Sequence, residues 1–264
     1  MEEKSSDPDW KKALLYYDWE EGRVITLPQS TYRNRAVVTC YAQGRQTARF
    51  RNGFGNYGAY FEKMRPDGTT IPWGTGTVPV LPDGRMIMII EQRPPQHLYT
   101  KGLPTHFQCD GTELRFDRFG PFPSLEFPGG GPDVSGQSVK IAGLQELTSE
   151  TGVPDQPVEL WTRAHAFYPD GADMAHAEHI HVAFLSNLRY DHFVKDDGGL
   201  TVLAFTEADV QENIWRGAIV SGQAALHNWQ FYHEVKRART DPEFRTRLET
   251  CGYLRVEHLH IRRS

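Results

Sequence analysis

The chain has 264 residues, with 29 Lys and Arg against 34 Asp and Glu and a formal net charge of -5, so it has no bulk attraction for nucleic acid. Mean hydropathy is -0.56, and no apolar run approaches the roughly 18 residues a membrane span needs. MEEKSSDPDWKK carries no apolar core of a cleavable leader, and the scattered Cys40, Cys109 and Cys251 read as reduced structural thiols in a cytoplasm.

Up to Pro72 the pattern is β-like. RVITLPQS, AVVTCYAQ and YGAYFEKMRPDG are short runs rich in β-branched and aromatic residues, broken by Gly, Pro and Asn. TVPVL and RMIMIIEQ then read as a hairpin turning at Pro82-Asp83-Gly84. MIMII lacks alternation, which predicts a strand buried on both faces. Residues 96–124 are rich in Gly, Pro, Phe and charge without a clear period. Such a segment reads either as a lid over a site or as a surface or dimer-contact loop.

LEFPGGG is a short strand and a glycine loop, followed by a predicted helix over Ser138 to Thr151. Ile141, Leu144 and Leu147 are its expected apolar side, Ser135 or Ser138 its cap, and Gly152 its stop. EHIHVAFLSNL predicts a strand with Ile180, Val182 and Phe184 on one face and His179 and His181 on the other. These two histidines and His176 read as solvent- or pocket-facing rather than as a metal cluster. LTVLAF is a further strand, Thr206 to Val235 a single helix capped by Thr206, and YLRVEHLHI a last strand. Mixed β and α elements around one helix delivered by a glycine loop predict an α/β sandwich.

Glu146 and Glu150 lie four residues apart, which places both carboxylates on one helix face with Cβ atoms about 6 Å apart. Hard divalent cations take such oxygens together with substrate phosphates, and a glycine loop can bring backbone carbonyls or amides close to them. A solvated acidic face is the alternative on the helix alone. Arg93 could meet a substrate phosphate or form a structural ion pair.

The stretch from Glu126 to Val153 resembles the Nudix box, G-x5-E-x7-R-E-U-x-E-E-x-G-U with U aliphatic. Gly131, Glu146, Leu147, Glu150, Gly152 and Val153 match it, while Gln137, Gln145 and Ser149 stand where it has Glu, Arg and Glu. Outside the box, Gln92, Arg93, Glu126, Pro128, Gly129, Phe167, Pro169, Gly171 and Glu178 are similar to the ADP-ribose pyrophosphatase branch of the Nudix hydrolases, over roughly Tyr60 to Glu234.

The resemblance implies a Nudix-type α/β/α sandwich with a mixed sheet at 73–264, an insertion at about 96–124, and a β-rich N-terminal extension at 1–72. It implies metal-assisted hydrolysis of a nucleoside diphosphate linked to another group, ADP-ribose-like or nucleotide-sugar-like, with Mg²⁺ or Mn²⁺. Carried over residue by residue, Glu146, Glu150 and the Gly130 carbonyl would hold metal. Asp196 or Asp197, in the KDDGG loop, would supply the base, though an Asp-Gly turn is the alternative there. Arg93, Glu126, Gly129 and Glu178 become candidate substrate-binding residues. A homodimer is implied, with neither nucleic acid nor membrane as partner. The paired loss of charge at Gln137 and Gln145 reads as a repacked support for the helix, since it leaves no unpaired buried charge. Two further expectations stay open: a silent domain that binds a nucleotide as a sensor, and a repurposed biosynthetic enzyme on the same fold.

Overall fold

The structure is a computed structural model that describes residues 24–26, 35–40, 59–64, 70–71, 73–93, 104–120, 123–132, 136–168, 177–189, 200–219 and 222–260. The chain divides into two compact units, Met1–Trp73 with Phe167–Ala177, and Gly74–Ala166 with Glu178–Ser264. The first carries an antiparallel sheet in sequential order: β1 (Val24–Thr26), β2 (Arg35–Cys40), β3 (Ala59–Met64) and β4 (Thr70–Ile71).

The second unit is built on β5 (Trp73–Val80) and β6 (Met86–Gln92), joined at the Pro82-Asp83-Gly84 turn. β5 and β6 pair at Val80 and Met86. Further along, the incoming segment 123–130 occupies the space beside each strand. β9 (Pro123–Glu126) pairs with the far end of β6, and β10 (Gly129–Gly130) pairs with the start of β5. The sheet is completed by β11 (Pro157–Thr162), β12 (Ala177–Leu185), β13 (Thr201–Phe205) and β14 (Leu254–His260), in the order β13-β6-β5-β12-β11-β14. Met86 to Ile90 are buried throughout, as the unbroken apolar run predicts.

Helix α1 (Val139–Thr151) covers one face. The Ser138 hydroxyl accepts the Ile141 N–H, and Gly152 closes the helix at a left-handed φ of 71°. Leu144 and Leu147 pack with Ile87 and Ile89, Val158 and Leu160, Ala183 and Leu185, and Val202 and Ala204. Each leucine contributes about 2 kcal/mol by leaving water. The opposite face carries α2 (Glu207–Trp215) and α3 (Gly222–Thr240). There Asn228 of α3 lies against Gly76 of β5, and the Arg239 guanidinium sits 3.8 Å from the centre of the Phe184 ring. The unit is therefore an α/β/α sandwich. Helix α4 (Pro242–Thr250) leads into β14. Among the described residues no helix is long and apolar enough to cross a membrane.

Four expectations are corrected. Ile141 is 53% exposed; a strict three-residue spacing falls short of the 3.6-residue turn, so it rotates off the stripe that Leu144 and Leu147 hold. His181 is fully buried, because β12 is covered on both faces. The single helix expected from Thr206 to Val235 is two helices, with Gly217 at φ 68° between them.

The fourth concerns residues 96–124. Part of this segment is a hairpin, β7 (His106–Cys109) and β8 (Thr112–Arg115), joined by Asp110-Gly111. Phe107 is buried, its ring centre 4.6 Å from that of Phe116 and 6.1 Å from that of Phe205. Asn213 of α2 bonds both the N–H and the carbonyl of Gln108. The described part of the segment, residues 104–120, is thus structured and fixed to the body of the unit.

Candidate functional site

Three elements meet where β5 and β6 separate. β6 carries Glu91 near its end and is followed directly by Arg93, β9 ends in Glu126, and β10 leads through the glycines toward α1. Arg93 donates two hydrogen bonds of 3.2 Å to the Glu126 carboxylate and pairs with Glu91 at 2.6 Å. Burial works against the guanidinium charge, but Glu126 and Glu91 hold Arg93 above its ordinary value. Of the two readings of Arg93 from sequence, the structure shows the ion pair, placed beside the acidic helix.

The acids of α1 converge on the glycine loop. Glu150 accepts the Gly129 N–H at 2.8 Å. The Glu146 carboxylate lies so close to Gly130 that a Cβ there would strike it, and a Cβ on Gly129 would strike the Thr75 carbonyl. At Gly129, where the clash is with backbone, only glycine lets the loop lie against the strand. The Gly130 carbonyl accepts the Thr75 hydroxyl at 3.3 Å. Burial, reinforced by Glu146 and Glu91, pushes Glu150 up to about 9 against the opposing pull of the Gly129 amide and Arg93. A carboxyl raised in this way holds its proton at neutral pH unless a cation stands beside it.

Gly130, Glu146 and Glu150 could supply three hard oxygens to Mg²⁺ or Mn²⁺, the ligand type these ions take. Among the described residues no group of three or more His, Cys, Asp or Glu is arranged to hold a metal, so a backbone carbonyl and waters would complete any such site. The three positions that depart from the box have definite partners. The Gln137 amide donates to the Gln145 side-chain oxygen, so a neutral pair stands in place of an ion pair. Ser149 is exposed and donates to the Glu146 carbonyl at 3.2 Å, within its own helix.

Of the other candidates, Gly129 and Glu126 are in the cluster. Glu178 is the second residue of β12 and, by alternation, shares the face of Ile180 and Val182 rather than the face that meets α1. Asp196 and Asp197 lie outside the described residues.

Sequence reading missed Glu91, which acts on both Arg93 and Glu150. It also missed Thr75 and Thr77 beneath the helix, and it placed His181, which packs there too, on an open face. The Thr77 hydroxyl donates to the Gly143 carbonyl at 3.3 Å, and His181 Nδ1 shares a 3.0 Å hydrogen bond with Thr162.

The fold and this site define an α/β sandwich that holds paired helical carboxylates against a glycine loop. No family model matches the sequence, and no curated protein matches it. Among solved structures the chain is similar to one titled "Crystal structure of ADP compounds hydrolase", with a TM-score of 0.46 at 15% identity, over 82% of this chain and 93% of that one. A likeness of that size carries no argument about chemistry.

Proposed function

We propose that the chain is a Nudix-like hydrolase: a divergent, Mg²⁺-dependent pyrophosphatase acting on a nucleoside diphosphate linked to a second group, ADP-ribose-like or nucleotide-sugar-like. The observation that carries this reading is the convergence of Glu146 and Glu150 on Gly129 and Gly130. A divalent cation bound there would shield diphosphate charge and activate the attacking water. Glu146, Glu150 and the Gly130 carbonyl would hold it. Arg93, fixed by Glu126 and Glu91, would offer a positive edge to a phosphate oxygen. Asp196 or Asp197 is the proposed base.

The test is a phosphate- and nucleotide-release screen over nucleoside diphosphate compounds with Mg²⁺ and Mn²⁺, run beside Glu150→Gln. Turnover that needs the cation and disappears in the variant supports the hydrolase. A second reading, a nucleotide-binding domain without turnover, draws on Ser149 facing its own backbone and on the neutral Gln137–Gln145 pair. Tight nucleotide binding without turnover under either cation would replace the first reading with the second.

A further inference from the structure

Beneath the candidate site lies Thr75-Gly76-Thr77 of β5. Residues two apart on a strand face the same way and lie roughly 6.6 Å from each other. Both hydroxyls point at carbonyls far away in sequence. Thr75 donates to the Gly130 carbonyl and Thr77 to the Gly143 carbonyl, each at 3.3 Å. Gly130 is in the loop, and Gly143 is in α1 three residues before Glu146 and seven before Glu150, which puts all three on one helix face. Thr75 is 3% exposed and Thr77 0%, so water does not compete for either bond. Valine would fill the same space in this core, and the two bonds are what the hydroxyls add.

The helix can settle onto the strand because position 143 has no side chain. A Cβ there would lie 2.6 Å from His181 Cδ2 and 3.1 Å from the Thr77 hydroxyl. His181 forms the wall behind the helix, and its cross-strand partner Thr162 holds its ring. Loop and helix, which already touch through Gly129 and Glu150, are thereby both referenced to one segment of strand as well.

We infer that Thr75 and Thr77 are positioning residues, a two-hydroxyl ruler on β5 that sets the Gly130 carbonyl against the Glu146 and Glu150 carboxylates; this rests on the cation site proposed above. The ruler touches no substrate. It sets the separation of the oxygens a divalent cation would bridge, and a misplacement of a few tenths of an ångström is felt by an ion with strict octahedral demands.

The experiment measures Mn²⁺ dissociation constants by electron paramagnetic resonance on the full chain. The proteins are wild type, Thr75→Val, Thr77→Val, the double variant, Thr75→Ser and Thr77→Ser. Each valine weakens Mn²⁺ by about three- to tenfold, the range for one lost buried hydrogen bond. Each serine retains the wild-type constant, and the double valine departs from simple addition because both hydroxyls act on one geometry. Val235→Ala in α3, remote from the site, lowers Tm but leaves Mn²⁺ affinity unchanged.

Wild-type affinity in both valine variants, or equal weakening in Val235→Ala, overturns the ruler and leaves the cation site standing. Absence of Mn²⁺ binding by the wild type overturns both. Should a valine variant fail to fold, alanine against serine at the same position gives the same contrast.

Discussion

Two carboxylates in this molecule, one buried and one half-buried, are treated in opposite ways. Asp209, at the start of α2, receives four hydrogen bonds: from the Asp110 and Gly111 amides, the Thr206 amide and the Thr206 hydroxyl. It caps a helix and holds the β7–β8 hairpin at once, and its lone pairs are well supplied with donors. Glu150 receives the Gly129 amide, while Glu146 and Glu91 press on it and Arg93 gives only partial relief. A folding role rewards satisfying a buried charge. At the cation site proposed above, a divalent ion would relieve the repulsion that Glu146 and Glu91 exert on Glu150.

Removing each carboxylate should therefore have different consequences. The largest effect is expected for Glu150→Gln: turnover falls by at least about a hundredfold, on the scale of losing an electrostatic group that acts on developing charge. The fold and Tm of the cation-free protein stay close to wild type. Millimolar Mg²⁺ or Mn²⁺ raises the wild-type Tm by mass action and leaves the variant where it was. Differential scanning fluorimetry with and without the cation checks this, and an equal shift in both proteins would place the cation elsewhere. Next in size is Asp209→Ala, which strands two hairpin amides and the Thr206 donors. It should cost about 3 kcal/mol, read from urea midpoints, while activity per folded molecule is retained. If Asp209→Ala instead abolished activity with stability intact, the comparison would be broken.

Much of this contrast was legible in the sequence, but unevenly. Glu146 and Glu150, four apart after a glycine loop, announced their own side of it. The capped α1, the buried MIMII strand and the alternation of β12 were also plain from local periods. The Asp209 side was not, because its partners come from a segment without an obvious period. The signal was nonetheless present: Cys109-Asp110-Gly111-Thr112 holds an Asp-Gly pair between two short strands, the usual chemistry of a two-residue hairpin turn. Both turn residues have positive φ, 51° and 71°. Gly217 was likewise a stop signal within a helix read as continuous. Glu91 and the Thr75–Thr77 pair could not be read, since their meaning arises only when β5 and β6 part and the glycine segment enters beside them.

His181 offers a third, smaller contrast, a buried base where the others are acids. Burial, with His179 beside it, pushes the imidazole down to about 3, against the pull of the Val139 backbone; Lys140 from α1 acts in the same downward direction. The folded value lies below the ordinary 6.5. The unfolded chain therefore binds a proton that the folded chain refuses, and stability present above pH 6.5 is lost as pH falls toward about 3. In His181→Gln this part of the acid sensitivity disappears, while ordinary carboxylate protonation affects both proteins alike. Urea midpoints at pH 7, 5.5 and 4 check it. Parallel midpoint-versus-pH curves would mean that the ring is protonated in the folded state.

The smallest expected effect is at Ile141, and set against Leu144 it tests how sharply α1 divides its structural side from its surface. Leu144 is 3% exposed within the apolar cluster, whereas Ile141, one turn earlier, is 53% exposed. Leu144→Ala should cost about 2–5 kcal/mol, because it removes buried methyl groups and leaves a cavity under the helix. Ile141→Gln should change stability by no more than about 0.5 kcal/mol, the usual range for a surface position. A larger loss at Ile141, measured by chemical denaturation over a range of protein concentrations, would mean that this side of α1 is covered by a second surface. Dependence on concentration would then show that the cover is another copy of the chain.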